Sequence, residues 1–119
     1  MRNKLAINLS IAKDFSETPG PRSREEGKFS GDEFREEVLQ PAFLKAIGTG
    51  QLLEIDMDGA VGYATSFLES AFGGLAREYD PGKIIETIRL TCKDEPSLVN
   101  EVVGYIREAR DEKVQRRLR

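Results

Sequence analysis

The sequence contains no histidine, no tryptophan and one cysteine among its 119 residues. Without histidine, the chain cannot form a serine–histidine or cysteine–histidine pair, a histidine general base or most catalytic zinc sites. The single cysteine, Cys92, excludes an internal disulfide and any cysteine cluster. Because Cys92 ends an apolar run, we expect it to be a small residue of the core.

Long apolar runs are also missing, since no segment approaches the roughly 18 residues of a membrane-spanning helix. The first residues, MRNKLAINLSIA, are too polar for a secretory signal peptide, so we expect a cytoplasmic bacterial protein without a membrane partner. The net charge of −3 provides no general attraction for nucleic acid. We therefore predict one domain over residues 1–112, followed by a basic, solvated tail over residues 113–119.

Hydrophobic periodicity predicts alternating strands and helices along the chain. Three strands are predicted over residues 5–11, 52–57 and 84–92, and three helices begin near residues 30, 65 and 94–96. The second helix is expected to end near Tyr79. Pro41 should break or kink the first helix near Leu39, and Gly48 and Gly50 should end it. Residues 15–28 are predicted to form a long loop.

The order β-α-β-α-β-α is typical of a single α/β domain with a mostly parallel sheet. The predicted strands alternate between apolar and polar residues, whereas a sheet covered by helices on both faces normally has continuous apolar strands. We therefore expect the helices mainly on one face. The other face should be half open or covered by the 15–28 loop.

The start of the first helix has two interpretations. Ser30 and Glu33 form a capping box, and Phe29 and Phe34 occupy the positions of a hydrophobic staple. Alternatively, the helix start is an anion-binding site formed by Arg22, Arg24, Ser30 and Gly31, with Lys28 adding positive charge.

The segment LLEIDMDGAVGYATSFLE, residues 52–69, combines carboxylates at a strand end with hydroxyls at a helix start. One interpretation is a phosphorylatable or partner-binding loop. The other is Mg²⁺-dependent phosphotransfer, with Asp56 as nucleophile, Asp58 as general acid or base, and Thr91 and Lys93 binding phosphate. Ala60 replaces the hydroxyl residue that usually follows such a motif, and no later acid pair completes a metal site. We therefore predict a protein that is not an enzyme and holds no metal or cofactor.

Two strings resemble the STAS-like family DUF4325: GKFSGDEFREEVLQPAF, residues 27–43, and GYATSFLESAFGGLAREY, residues 62–79. The resemblance implies a small sheet with helices on one side, related to anti-sigma-factor antagonists. Such antagonists bind a histidine-kinase-like ATPase and are switched off when it phosphorylates a serine at a helix start. By placement, the resemblance implies Ser66 as the phosphorylation candidate, and Thr65 beside it is a second.

The alternative for Ser66 is a purely structural role, because Ser66 and Glu69 also spell a capping box. The expected partner surface is the 58–66 loop with the exposed side of the second helix, comprising Asp58, Gly62, Tyr63, Ser66, Glu69, Ser70 and Arg77. Gly73 and Gly74 predict a bend or close packing, most simply against the sheet. We expect a monomer or a weak homodimer.

Overall fold

A computed structural model describes residues 5–118, and residues 1–4 and 119 of the predicted terminal segments lie outside that range. The strands are β1 (Ala6–Ser10), β2 (Leu52–Asp56) and β3 (Ile88–Thr91). Within the described residues, five helices accompany them: α1 (Ile11–Asp14), α2 (residues 31–49), α3 (residues 65–78), α4 (Pro81–Thr87) and α5 (Ser97–Arg117). The predicted basic tail is therefore part of α5 as far as Arg117.

The three strands form one parallel sheet in the order β1-β2-β3, as the sequence predicts for an α/β domain. Register places Ile7 beside Leu53 and Leu53 beside Ile88 on the face that packs against the core. Because side chains alternate along strands, the intervening row of Asn8, Glu54 and Arg89 lies on the opposite face. Helices on one face are thus confirmed.

The long loop does not cover the polar face of the sheet. Phe15, the first residue of the loop, packs into the helix layer, with its ring centroid 5.2 Å from that of Phe34 and 6.2 Å from that of Phe67. Backbone bonds from Gly20 N–H to the Phe29 carbonyl and from Gly31 N–H to the Pro21 carbonyl close the loop on itself. The polar sheet face is consequently open among the described residues.

Helix α3 is the central element of the helix layer. Every residue from 67 to 76 is buried except Glu69, because α2 contacts one side of the helix and α5 another. The prediction of an exposed side for this helix is therefore wrong over residues 67–76, although Arg77 is exposed. The prediction for Cys92 is confirmed, since it is 7% exposed and belongs to the core.

The third strand is shorter than predicted, because its first half is helix α4. The Asp80 carboxylate accepts a hydrogen bond from the Gly82 amide, and Pro81 occupies the first helical turn. This is a strong helix start, since proline loses no intrahelical bond at that position. Residues four apart lie on the same face of a helix and also on the same face of a strand. The burial of both Ile84 and Ile88 is therefore compatible with either structure at residue 84.

Pro41 does not break helix α2. The helix consists of consecutive segments Gly31–Phe34, Arg35–Leu39 and Gln40–Thr49, of which the middle one is a π-turn. The Gln40 amide donates a hydrogen bond to the Arg35 carbonyl, five residues back. This wide turn lies directly before Pro41, which has no backbone N–H to donate. The helix ends at Gly50 with φ of 67°, as predicted, whereas Gly48 lies inside the helix.

Candidate functional site

Asp56 and Asp58 lie at the carboxyl end of β2, where the sequence places a phosphotransfer motif. Asp58 accepts hydrogen bonds from the backbone amides of Lys93 and Asp94, both at 2.9 Å. Asp56 accepts the amide of Asp58 at 2.8 Å. The Asp94 and Lys93 amides hold the pKa of Asp58 below its usual range. Asp58 therefore joins the loops after β2 and β3 as an ionised carboxylate.

The other residues of that motif lie nearby, without a metal-ligand cluster. Thr91 and Lys93 are exposed. The Thr91 carbonyl accepts a hydrogen bond from the Met57 amide, which extends the pairing of β2 and β3 by one bond. Within residues 5–118, no group of three or more acidic, histidine or cysteine side chains is placed to hold a metal ion.

The start of α3 is not capped by Ser66. Ala64 is the N-cap residue, and no side chain bonds the free amides of the first turn. Glu69 instead accepts hydrogen bonds from Arg22 and Arg77, each at 2.6 Å. The predicted Ser66–Glu69 capping box is therefore wrong, because Ser66 lies inside the helix rather than before it.

Ser66 and Thr65 differ in what their hydroxyls contact. The Ser66 hydroxyl has no hydrogen-bond partner among the described residues, and the side chain is half-buried. Thr65 is exposed, and its side chain lies near the Tyr105 hydroxyl of α5. Of the two candidate phosphorylation sites, Ser66 is thus the one with an unengaged hydroxyl.

Two loops meet beside this helix start. The Val61 amide donates to the Glu17 carbonyl at 2.8 Å, although the Val61 side chain is 86% exposed. The Tyr63 hydroxyl donates to the Met57 carbonyl at 2.7 Å, and burial raises the pKa of Tyr63. These bonds fix the path of the 58–64 loop and leave its apolar tip in solvent.

Phe29 adds a second apolar group on the same side of the molecule. Its φ of 55° is left-handed, a conformation that is rare for a bulky residue and that recurs at functional sites. The ring is 39% exposed and packs edge-on against Phe15, which in turn contacts Phe67, the neighbour of Ser66. We name the residues Phe29, Val61, Gly62, Ala64 and Ser66 the helix-start surface.

The other predicted partner-binding residues are less available. Ser70 is 1% exposed, so its prediction as a surface residue is wrong. Its hydroxyl bonds the Asp32 carboxylate at 2.6 Å and the Arg22 carbonyl at 3.1 Å. Glu69 and Arg77 are partly exposed but are held to each other. Packing between helices, which a single helical wheel does not show, buries this face.

The predicted anion-binding groups have protein partners in the structure. Arg22 pairs with Glu69, and Arg24 pairs with Glu36 and Glu37. The amides of Gly31 and Asp32 donate to loop carbonyls. The Ser30 hydroxyl accepts a hydrogen bond from the Glu33 amide at 3.1 Å, which confirms the N-cap. The Glu33 carboxylate makes no return hydrogen bond to the Ser30 amide, so the second half of the capping box is absent among the described residues.

Arg35 forms a buried junction that sequence reasoning missed. Its side chain is 13% exposed and donates to the Asp32 carboxylate at 2.9 Å and to the Ser70 carbonyl at 2.5 Å. A Cβ at Gly74 would collide with the Arg35 guanidinium, and one at Gly31 would collide with the Phe67 carbonyl. Gly74 therefore packs against an arginine of α2 rather than the sheet.

The π-turn of α2 faces the π-turn of α3, Glu69–Gly73, at this junction. The helical parts of the two recognisable strings thus meet in one helix–helix contact. An arginine on a charged helix segment gives no sequence signal of burial, but a glycine pair in the facing helix is a signal of close approach.

A family model described as a STAS-like domain of unknown function (DUF4325) matches residues 30–98, which include α2, β2, α3, α4 and β3. No curated protein and no solved structure matches the chain. Among the residues that the structure describes, no helix has the length and apolar character needed to cross a membrane.

Proposed function

The chain belongs to the STAS-like DUF4325 family, and we propose that it is a regulatory protein-binding module. Its partner in this proposal is a histidine-kinase-like ATPase, and binding is switched by phosphorylation of Ser66. The helix-start surface carries the proposal, because it combines exposed apolar groups with an unengaged hydroxyl at an uncapped helix start.

Phosphorylation would change this surface strongly. A phosphate adds roughly −1.5 to −2 charges at neutral pH. Free amides and the helix dipole would stabilise that charge on Ser66 in the unbound protein. A protein interface that covers Val61 and Phe29 would have to desolvate the same charge, which is costly without a matching cation. Phosphorylation should therefore favour the free state.

We propose binding rather than catalysis, because Asp58 is occupied by two backbone amides. A general acid needs a raised pKa, whereas the pKa of Asp58 is lowered. A phosphoester assay with Mg²⁺ should give no turnover. Turnover that disappears in Asp56→Asn would replace this proposal with the phosphatase interpretation.

The switch is tested by comparing Ser66→Asp with Ser66→Ala. The partner used is a histidine-kinase-like ATPase from the same organism, and calorimetry measures its affinity. Ser66→Asp should weaken binding at least about tenfold, since a charge is brought into the interface, while Ser66→Ala should bind as the parent does. Ser97→Asp is the matched control, because Ser97 is an exposed serine in the first turn of α5. Equal affinities for all three variants would overturn the switch.

A further inference from the structure

The polar face of the sheet is unusual for parallel strands, which are normally covered on both faces. Within residues 5–118 this face forms an open trough of about 1100 Å³. Glu54 and Asp56 of the central strand lie along its middle, between Asn8 and Ser10 of β1 and Arg89 and Thr91 of β3. We name this surface the sheet trough.

The sheet trough is acidic, and its carboxylates form no salt bridges with described residues. Three cations line it, Lys13, Arg89 and Lys93, against five carboxylates, so the difference is −2. The carboxylates are Asp14, Glu54, Asp56, Asp58 and Asp94. None of them forms a salt bridge in the described part of the chain, whereas the ion pairs that the structure contains involve other acidic residues.

Arg89 does not neutralise Glu54, although the two residues are neighbours in register. Its guanidinium donates to the carbonyls of Ile85, Glu86 and Ile88 at 3.0 to 3.1 Å, where it caps the end of α4. Glu54 is half-buried in the trough and accepts no hydrogen bond from a described side chain. A cation brought to Glu54 would thus find a partly desolvated, unpaired carboxylate.

The end of α5 has the complementary character. Arg116 and Arg117 are exposed and form no salt bridge with described residues. Val114 and Leu118, 46% and 76% exposed, add apolar area on the same helix end. The Lys113 ammonium donates to the Tyr79 carbonyl at 2.8 Å, which ties this end to the helix layer. It therefore lies away from the trough of its own chain.

We propose that the sheet trough binds the end of α5, residues 113–118, from a second copy of this chain. Arginines of the incoming helix pair with Glu54 and Asp56, and Val114 and Leu118 lose exposed apolar surface. Because the helix end and the trough lie on different sides of one chain, the contact is heterologous and joins copies head to tail, each trough receiving the helix end of the next copy.

Sedimentation velocity over a range of protein concentrations tests the proposal. The parent should self-associate at low salt, and added sodium chloride should weaken the association by screening the charges. Glu54→Lys should weaken it roughly tenfold, as expected for reversing a charge in a complementary interface. Glu25→Lys makes the same charge change on an exposed loop residue without a salt bridge, and should leave the association unchanged.

The incoming segment is tested with Arg117→Glu, which should weaken self-association as Glu54→Lys does. Combining the two substitutions should restore much of the loss, because the charges are exchanged across the interface. The proposal is overturned if the parent is monomeric at all concentrations, or if Glu54→Lys has no effect. Loss with Glu54→Lys but not with Arg117→Glu would also overturn it, since another segment would then occupy the trough.

Discussion

Two serines near helix starts, Ser30 and Ser66, have different structural roles. Ser30 is fully buried and its hydroxyl accepts the amide of Glu33, whereas Ser66 lies within the first turn of α3 and caps nothing. Ser30→Ala should lower the free energy of unfolding by about 1 kcal/mol, the usual loss for an N-cap. Ser66→Ala should change it by less than about 0.5 kcal/mol, as surface substitutions do.

Urea denaturation of the two variants measures both values. Equal losses would contradict the assignment, because they would require Ser66 to satisfy an amide that the structure leaves open.

Glu69 makes stability depend on pH. Hydrogen bonds from Arg77, and then from Arg22, hold the pKa of Glu69 below its usual range despite the opposing effect of burial. A lowered folded-state pKa means that the stabilisation is fully present above the unfolded-state pKa of about 4.3. It is lost as the pH falls through the lower folded-state value.

The stability difference between the parent and Glu69→Gln should therefore be positive at neutral pH and shrink below about pH 4. Denaturant unfolding at several pH values measures it. Glu25→Gln is the control and should show no such trend, since Glu25 is exposed and forms no salt bridge. A difference for Glu69→Gln that persists unchanged at low pH would show that the charge of Glu69 contributes nothing.

At the scale of elements, the contact between α2 and α3 depends on the absence of a side chain at residue 74. The Arg35 guanidinium occupies the space where a Cβ of residue 74 would lie. Gly74→Ala should destabilise the protein by roughly 1–3 kcal/mol, the usual cost of overpacking a core. This cost should exceed the helix-propensity gain of alanine, which is about 1 kcal/mol.

Gly104→Ala in α5 is the matched control, because apart from its own helix backbone no described atom lies within 4 Å of a Cβ at that position. It should stabilise the protein by up to about 1 kcal/mol through helix propensity alone. Thermal or urea unfolding distinguishes the two variants. Stabilisation by Gly74→Ala would indicate that Arg35 moves aside without loss.

At the scale of the whole molecule, stability should be concentrated where α3 lies between α2, α5 and the sheet. Nearly every residue from 67 to 76 is buried, whereas the residues of α5 beyond Arg110 are mostly exposed. Hydrogen exchange reports local opening, which requires little free energy where few contacts are buried. We expect the slowest exchange over residues 67–76 and in β2, and the fastest helical exchange over residues 111–117.

Mass spectrometry of deuterated peptides measures this order in dilute protein at high salt, where self-association is screened. Exchange over residues 67–76 as rapid as over 111–117 would contradict the central position of α3. Protection of 111–117 that appears only at high protein concentration and low salt would accord with the proposed self-association.

The sequence by itself determined the features that depend on neighbours along the chain. Alternation defines β1 and β2 because a strand exposes every second residue to the core. Ser30 and Gly50 mark the ends of α2 because a cap acts on amides and carbonyls a few residues away. Parallel order and one-sided helices follow from the sequence of elements and from amphipathic strands.

Only the tertiary structure decided which residues of the candidate site are available. Ser70 is buried by Asp32 and Arg22, some 38 and 48 residues away, and Asp58 is occupied by amides 35 and 36 residues further on. The unengaged Ser66 hydroxyl, the buried Arg35 and the open sheet trough depend in the same way on contacts between distant segments. Local patterns report periodicity and caps, whereas burial and hydrogen-bond partners are set by which segments the fold brings together.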